Sequence, residues 1–209
     1  MGKAGVFITF EGIDGCGKTT QAALLADTLE AAGREVVCLR DPGSARLSER
    51  IRLLLLDPAN SDMCDECELL LYEAARAQMV RERIIPAIER GAVVLCDRFC
   101  DSTLAYQSGG RGIERKLVEA ANEIGSVGLV PDATLLFHLG VGEALSRATQ
   151  GGADRLEGEG VGFQERVNAA YARIAVEGAP RVRVIDAIGS PEVVRLRVQT
   201  ALADVLAGL

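Results

Sequence analysis

Phe10-Glu11-Gly12-Ile13-Asp14-Gly15-Cys16-Gly17-Lys18-Thr19-Thr20 is the stretch on which the fold turns. It contains Gly12-x-x-x-x-Gly17-Lys18-Thr19, a phosphate-cradling P-loop pattern that requires a strand before it and a helix after it. Both can be read here. Val6 to Phe10 is a short run rich in apolar and β-branched residues, and residues 17–32 place Leu25, Leu29 and Ala32 on one helical face, with Gly33 as a stop. The glycines let backbone N–H groups turn toward an anion, and the helix start behind them adds unpaired N–H groups and partial positive charge. The backbone from Gly12 through Ile13, Asp14, Gly15, Cys16 and Gly17 to Lys18, Thr19 and Thr20 is therefore the expected ATP cradle. Lys18 would reach the β- and γ-phosphates, and the Thr19 hydroxyl would ligate Mg²⁺. A glycine-rich turn that binds nothing is the alternative; a strand and a helix in register favour the cradle.

Outward from this stretch, short apolar runs alternate with helical ones. Val6–Glu11, Glu35–Arg40, Ala92–Asp97, Ala133–Leu139 and Val182–Asp186 read as strands. Gly17–Ala32, Leu47–Leu56, Glu66–Arg90, Glu114–Gly125, Gly142–Thr149, Val161–Glu177 and Pro191–Leu206 read as helices, with Pro86 expected to kink or split the third. The alternation predicts an α/β doubly wound fold: a five-stranded parallel sheet with helices on both faces and a short lid at about 147–162. Right-handed crossovers put all strand C-termini on one edge, where ligands bind. At 209 residues with no linker or repeat, one domain, 1–209, is expected.

The residues after each strand are then the places to look. Arg40-Asp41-Pro42-Gly43 follows the second strand, and a plain turn explains Pro42-Gly43 equally well. Tyr72 and Arg76, four apart, share a helix face. Together they could hold a planar base, or they are a core-rim ring and a surface cation. Asp97 closes an apolar strand where a carboxylate would approach Mg²⁺, with Arg98 pointing at the phosphates; a strand ending in polar residues is the duller reading. Residues 101–112, with Gly109, Gly110 and Gly112, read as a loop in which Ser102, Tyr106 and Gln107 could meet a substrate. Residues 150–162 are glycine-rich and flanked or interrupted by Arg147 and Arg155. This is either a mobile lid that brings a catalytic arginine to the transferring group or an ordinary exposed loop.

Composition bounds the partners. The net charge of −7 argues against a broad nucleic-acid surface, though not against one nucleotide pocket. No apolar run has membrane-spanning length and the first residues carry no signal-peptide core, so a cytoplasmic protein is expected. The six cysteines predict reduced thiols: Cys64-x-x-Cys67 has no second pair to complete a zinc site, and Cys38 and Cys96 read as small core residues. The single histidine, His138, falls in an expected core strand.

Taken in order, these motifs resemble the bacterial type of thymidylate kinase, from about Val6 to Val194. The carriers are the 10–21 loop, Arg40-Asp41-Pro42-Gly43, the helix from Leu69 to Gln78, Asp97-Arg98-Phe99 with Ser102 and Ala105-Tyr106-Gln107, Pro131-Asp132, Asp154-Arg155 and Ile185-Asp186-Ala187. The resemblance implies transfer of the ATP γ-phosphoryl group to dTMP with Mg²⁺, and a homodimer. It implies that Glu11 meets the sugar 3′-hydroxyl, Asp14 and Asp97 lie near Mg²⁺, and Tyr72 stacks on thymine while Arg76 bonds its O4. It further implies that Arg98 bridges the acceptor phosphate and the transferred group, Tyr106 crowds the 2′ position, and Ser102 and Gln107, with Asp41 and Pro42 nearby, line the pocket. A lid arginine, Arg147 or Arg155, would be catalytic. The chain departs from the pattern at Ala75 (usually Asp), Met79 (usually His), His138 (commonly Asp), Ser44-Ala45 (usually Gly-Thr) and Gln150, where a lid arginine is often found. On the residues alone, two alternatives stay open: a kinase for another (deoxy)nucleoside monophosphate or nucleoside, and a non-catalytic nucleotide-binding protein.

Overall fold

Alternating apolar strands set up a sheet covered on both sides, and the computed structural model, which describes residues 5–148 and 155–207, has that form. Five parallel strands lie in the order β2-β3-β1-β4-β5: β1 Val6–Glu11, β2 Val36–Arg40, β3 Val93–Asp97, β4 Ala133–His138 and β5 Val182–Asp186. Register is uniform, with Phe10 opposite Asp97 and Leu135, so Glu11 and Asp97 reach the same edge. Ile8, Phe10, Leu95, Leu135 and Phe137 join Leu25 and Leu29 of α1 (Lys18–Ala31) and Val194 and Val198 of α9 (Pro191–Ala201) in one core. On the other face Phe7, Val94 and Cys96 meet Met79, Val80 and Ile84. Burial of this kind is worth about 25 cal/mol per Å² of apolar surface.

The remaining helices are α2 (Arg46–Leu56), α3 (Asp65–Met79), α4 (Ile85–Glu89), α5 (Cys100–Thr103), α6 (Arg115–Ser126), α7 (Val141–Ala148), α8 (Val161–Glu177) and α10 (Ala203–Leu206). The expected 66–90 helix is split as Pro86 predicts. A π-helical turn, Val80–Ile84, separates α3 from α4, because Pro86 has no N–H to donate and its ring crowds the carbonyl four residues back.

Three sequence expectations are corrected. Residues 101–112 are mostly not a loop: α5 runs directly into a π-helical segment, Leu104–Gly110. The glycines there serve packing. A Cβ on Gly109 would stand 2.4 Å from the Cβ of Ala170, and one on Gly110 would stand 2.6 Å from the Phe163 ring. Cys38 is exposed rather than core, because its strand β2 is at the sheet edge. His138 is exposed at the end of β4 rather than within the core.

Candidate active site

The cradle forms as the glycines dictate. Gly12, Gly15 and Gly17 have φ of 135°, 80° and 92°, and a Cβ on Gly12 would lie 2.6 Å from the Phe137 carbonyl oxygen. Ile13 and Cys16 turn their side chains into the core, which leaves the loop backbone for an anion. Lys18 begins α1; its Nζ donates to Ile13 O at 3.2 Å and to Asp14 Oδ1 at 3.4 Å. Thr19 Oγ1 donates to Asp97 Oδ2 at 2.5 Å, so the hydroxyl and the β3 carboxylate meet at the helix N-terminus. Magnesium usually takes one or two protein ligands and completes its shell with phosphate and water, a role this oxygen pair fits.

The Arg98 guanidinium stands at the seam between this cradle and a second cavity. Its backbone has φ 72°, a left-handed conformation rare outside glycine, and its N–H donates to Phe10 O at 2.9 Å. Nη2 donates to Asp14 Oδ1 at 2.7 Å and to Tyr106 OH at 3.1 Å; Nη1 donates to Ser102 Oγ at 3.1 Å and to Tyr171 OH at 3.3 Å. Burial alone would push the Asp14 carboxyl up, but Arg98 and Lys18 together hold it well below the usual carboxylate range.

The second cavity joins Asp14, Asp41, Pro42, Tyr72, Arg76, Arg98, Ser102, Tyr106 and Gln107, which come from five separate parts of the sequence. Arg76 is 1% exposed, not a surface cation. Nε donates to Asp41 at 2.5 Å, Nη1 to Glu73 at 2.6 Å and Asn122 at 2.7 Å, and Nη2 to Thr103 at 2.7 Å and Phe99 O at 3.3 Å. All five of its N–H groups thus have protein acceptors.

Glu11 is where the expectation and the structure part. It is fully buried and does not line the cavity. Its Oε1 accepts from the backbone N–H groups of Phe99 (2.8 Å) and Ser102 (3.2 Å), and its Oε2 from the hydroxyls of Ser102 (2.5 Å) and Tyr171 (2.8 Å). It therefore anchors the start of α5 instead of meeting a sugar; the carboxylate that does line the cavity is Asp14. Burial and the nearby charge of Asp101 push Glu11 up to about 7, against the opposing pull of Arg98 and the two hydroxyls.

A third space is lined by the loop from Asp14 to Gln21 and by Arg147, Ala187, Gly189, Pro191 and Val194. Of the two arginines proposed for the lid, Arg147 thus faces the cradle, where it also pairs with Glu143. Arg155 lies elsewhere: its Nε donates to Leu55 O at 2.9 Å and its Nη2 to Glu68. Gln150 and Asp154 lie outside the described residues.

Sequence reasoning missed Arg52, Thr103 and Leu156 in the second cavity and Tyr171 behind it. Arg52 follows Asp41 by three turns of loop and helix and could have been read as a cation at the active edge. Tyr171 comes from α8, and no local pattern marks it.

The sequence profile of thymidylate kinase matches residues 10–198. The chain belongs to the thymidylate kinase family. Relatives within the family agree over nearly full length. It is 45% identical over 205 residues to the thymidylate kinase of Pelotomaculum thermopropionicum, covering 97% of this chain and 94% of that one. It is 43% identical over 209 residues to that of Trichlorobacter lovleyi, covering 97% and 99%. The crystal structure of thymidylate kinase from Ehrlichia chaffeensis superposes with a TM-score of 0.80 at 33% identity, covering 96% of this chain and all of that one. The five-stranded parallel P-loop fold is therefore that of the family.

Proposed function

We propose that this protein transfers the γ-phosphoryl group of ATP to the 5′-phosphate of dTMP, giving dTDP and ADP, in the cytoplasm and on the way to dTTP. One observation carries the reading. Arg98 lines both the cavity that holds Tyr72 and Arg76 and the neighbouring space lined by Lys18, Thr19 and Asp97.

The acceptor needs no strong base, since the second ionisation of a phosphate monoester lies near pH 6. The protein's task is to position two mutually repelling anions and offset the charge between them. Lys18 and the backbone N–H groups of Gly12–Thr20 hold the donor phosphates, and Arg147, facing the same space, is the lid arginine assigned to the transferring group. Thr19 and Asp97 would hold Mg²⁺, which supplies charge neutralisation across the donor phosphates. Arg98 would bond the acceptor phosphate on the other side. Asp14, already ionised, presents a carboxylate to the acceptor sugar. Tyr106, held by Arg98, would crowd the 2′ position and so favour a deoxyribose. Tyr72 would stack on the base, and Arg76 would meet a base carbonyl by exchanging one of its present acceptors. In steady-state assays, Lys18→Ala and Arg98→Ala should each lower kcat by about 10²- to 10³-fold. Unchanged kcat in both would refute the mechanism.

The chain is also proposed to act as a homodimer. Helices α2, α3 and α6 pack side by side and leave Leu54, Leu70, Leu117 and Ile124 exposed, an apolar face of the kind that subunit contacts cover.

A further inference from the structure

Glu68 sits in α3 one helical turn before Tyr72 and has no exposed surface. Its Oε1 accepts from Gln107 Nε2 at 2.8 Å and from Arg111 Nε at 3.2 Å. Its Oε2 accepts from Arg111 Nη2 at 2.9 Å and from Arg155 Nη2. One carboxylate thus ties α3 to the π-helical segment through Gln107, to the residue after it through Arg111, and to the 155–159 stretch through Arg155. Arg111 also pairs with Glu159 at 2.5 Å, and Arg155 reaches α2 through Leu55 O. The next residue, Leu156, is buried and lines the second cavity together with Tyr72 and Gln107. Burial pushes the Glu68 carboxyl up, but hydrogen bonds from Arg111, Gln107 and Arg155 outweigh this and hold it below its ordinary range. Without that charge, Arg155 would lose the carboxylate that holds its Nη2, and Arg111 would keep only the carboxylates of Glu159 and Asp65 among the described residues.

We infer that Glu68 is a positioning residue that seats Arg155 and Leu156 as a roof over the acceptor cavity, so that acceptor affinity depends on this carboxylate. Arg155 is then a strut for the roof and not a group that touches the transferring phosphoryl. The inference rests on the reading of this cavity as the dTMP site.

Two substitutions test it. Glu68→Gln keeps the side-chain shape and removes the charge, whereas Arg155→Gln frees the roof and leaves Glu68 bonded to Arg111 and Gln107. Each should raise the KM for dTMP about tenfold, the effect of losing one charged hydrogen bond, with the KM for ATP and kcat changing by less than about threefold. The double variant should be no worse than Glu68→Gln alone, since both changes break one contact. In wild-type protein, dTMP should slow tryptic cleavage after Arg155, and in Glu68→Gln it should not. A role in folding alone would instead lower Tm and move both KM values together, which would overturn the inference. Unchanged dTMP KM in both variants, with wild-type protein binding dTMP, would overturn it while leaving the acceptor site in place. Wild-type protein with no dTMP affinity would overturn the acceptor-site reading as well.

Discussion

Arg98 occupies a left-handed backbone position that costs a side-chain-bearing residue about 1 kcal/mol or more. Four hydrogen bonds from its guanidinium, to Asp14, Ser102, Tyr106 and Tyr171, hold it there. A planar fork at this site is not replaced by a point charge, so Arg98→Lys should retain less than about 1% of wild-type kcat. Glu11 gives a pH test at the same scale. Its folded-state pKa of about 7 lies above its ordinary value of 4.5. Below pH 4.5 both states hold the proton and its contribution to stability is complete. Between 4.5 and 7 the unfolded chain releases the proton first, so that contribution is lost as pH rises. Glu11→Gln cannot titrate, and the Tm advantage of wild type over this variant should shrink between about pH 5 and pH 8. Parallel Tm curves for the two proteins would contradict this assignment. Positions at this scale were legible where the cause is local: Lys18 begins α1 behind the loop, and Asp97 ends β3 beside Thr19. Glu11 was misread because its partners, Phe99, Ser102 and Tyr171, come from distant sequence, and only the fold shows that its oxygens are already taken.

At the scale of elements, the 100–110 segment is held helical by non-local contacts. Its first N–H groups are capped by Glu11 from β1, and its glycines let α8 approach. A local reading sees Gly109 and Gly110 and predicts a loop, because the capping carboxylate lies almost ninety residues earlier. By contrast, strands flanked by turn residues and the Pro86 break were legible, since the cause lies within the element. Gly109→Ala should destabilise the protein by about 1–3 kcal/mol in urea unfolding, because its Cβ would overlap that of Ala170, which is fixed to the backbone of α8. Gly125 of α6 makes a similar allowance. A Cβ there would overlap the Glu73 carboxylate, so Gly125→Ala should displace Glu73 from Arg76 and raise the dTMP KM more than the ATP KM. Equal changes in both would show that the Glu73–Arg76 pair is not part of base recognition.

The whole molecule brings residues from β1, β2, α3, β3 and the 100–110 segment to one sheet edge, which is why five separated motifs meet around one cavity. That convergence was legible from the alternation of strands and helices, since parallel strands share one C-terminal edge. The resemblance points to the helices near Asp41 and Tyr72 as dimer contacts, but which leucines of α2, α3 and α6 face outward was not legible, because an exposed leucine and a core leucine look alike in a helical pattern. Sedimentation should give twice the 22.1 kDa chain mass, and Leu54→Glu with Leu117→Glu should return it to that of one chain. A wild-type protein that sediments as one chain at micromolar concentration would remove the dimer. The central claim is a cradle for ATP facing a slot shaped for a thymine deoxynucleotide. It is tested most directly by coupled ADP release with dTMP, dUMP, dCMP, dGMP and AMP as acceptors. The account predicts the highest kcat/KM with dTMP and no more than about 1% of it with the purine nucleotides. Equal or greater turnover with dGMP or AMP, or no ADP release with any acceptor, would contradict it.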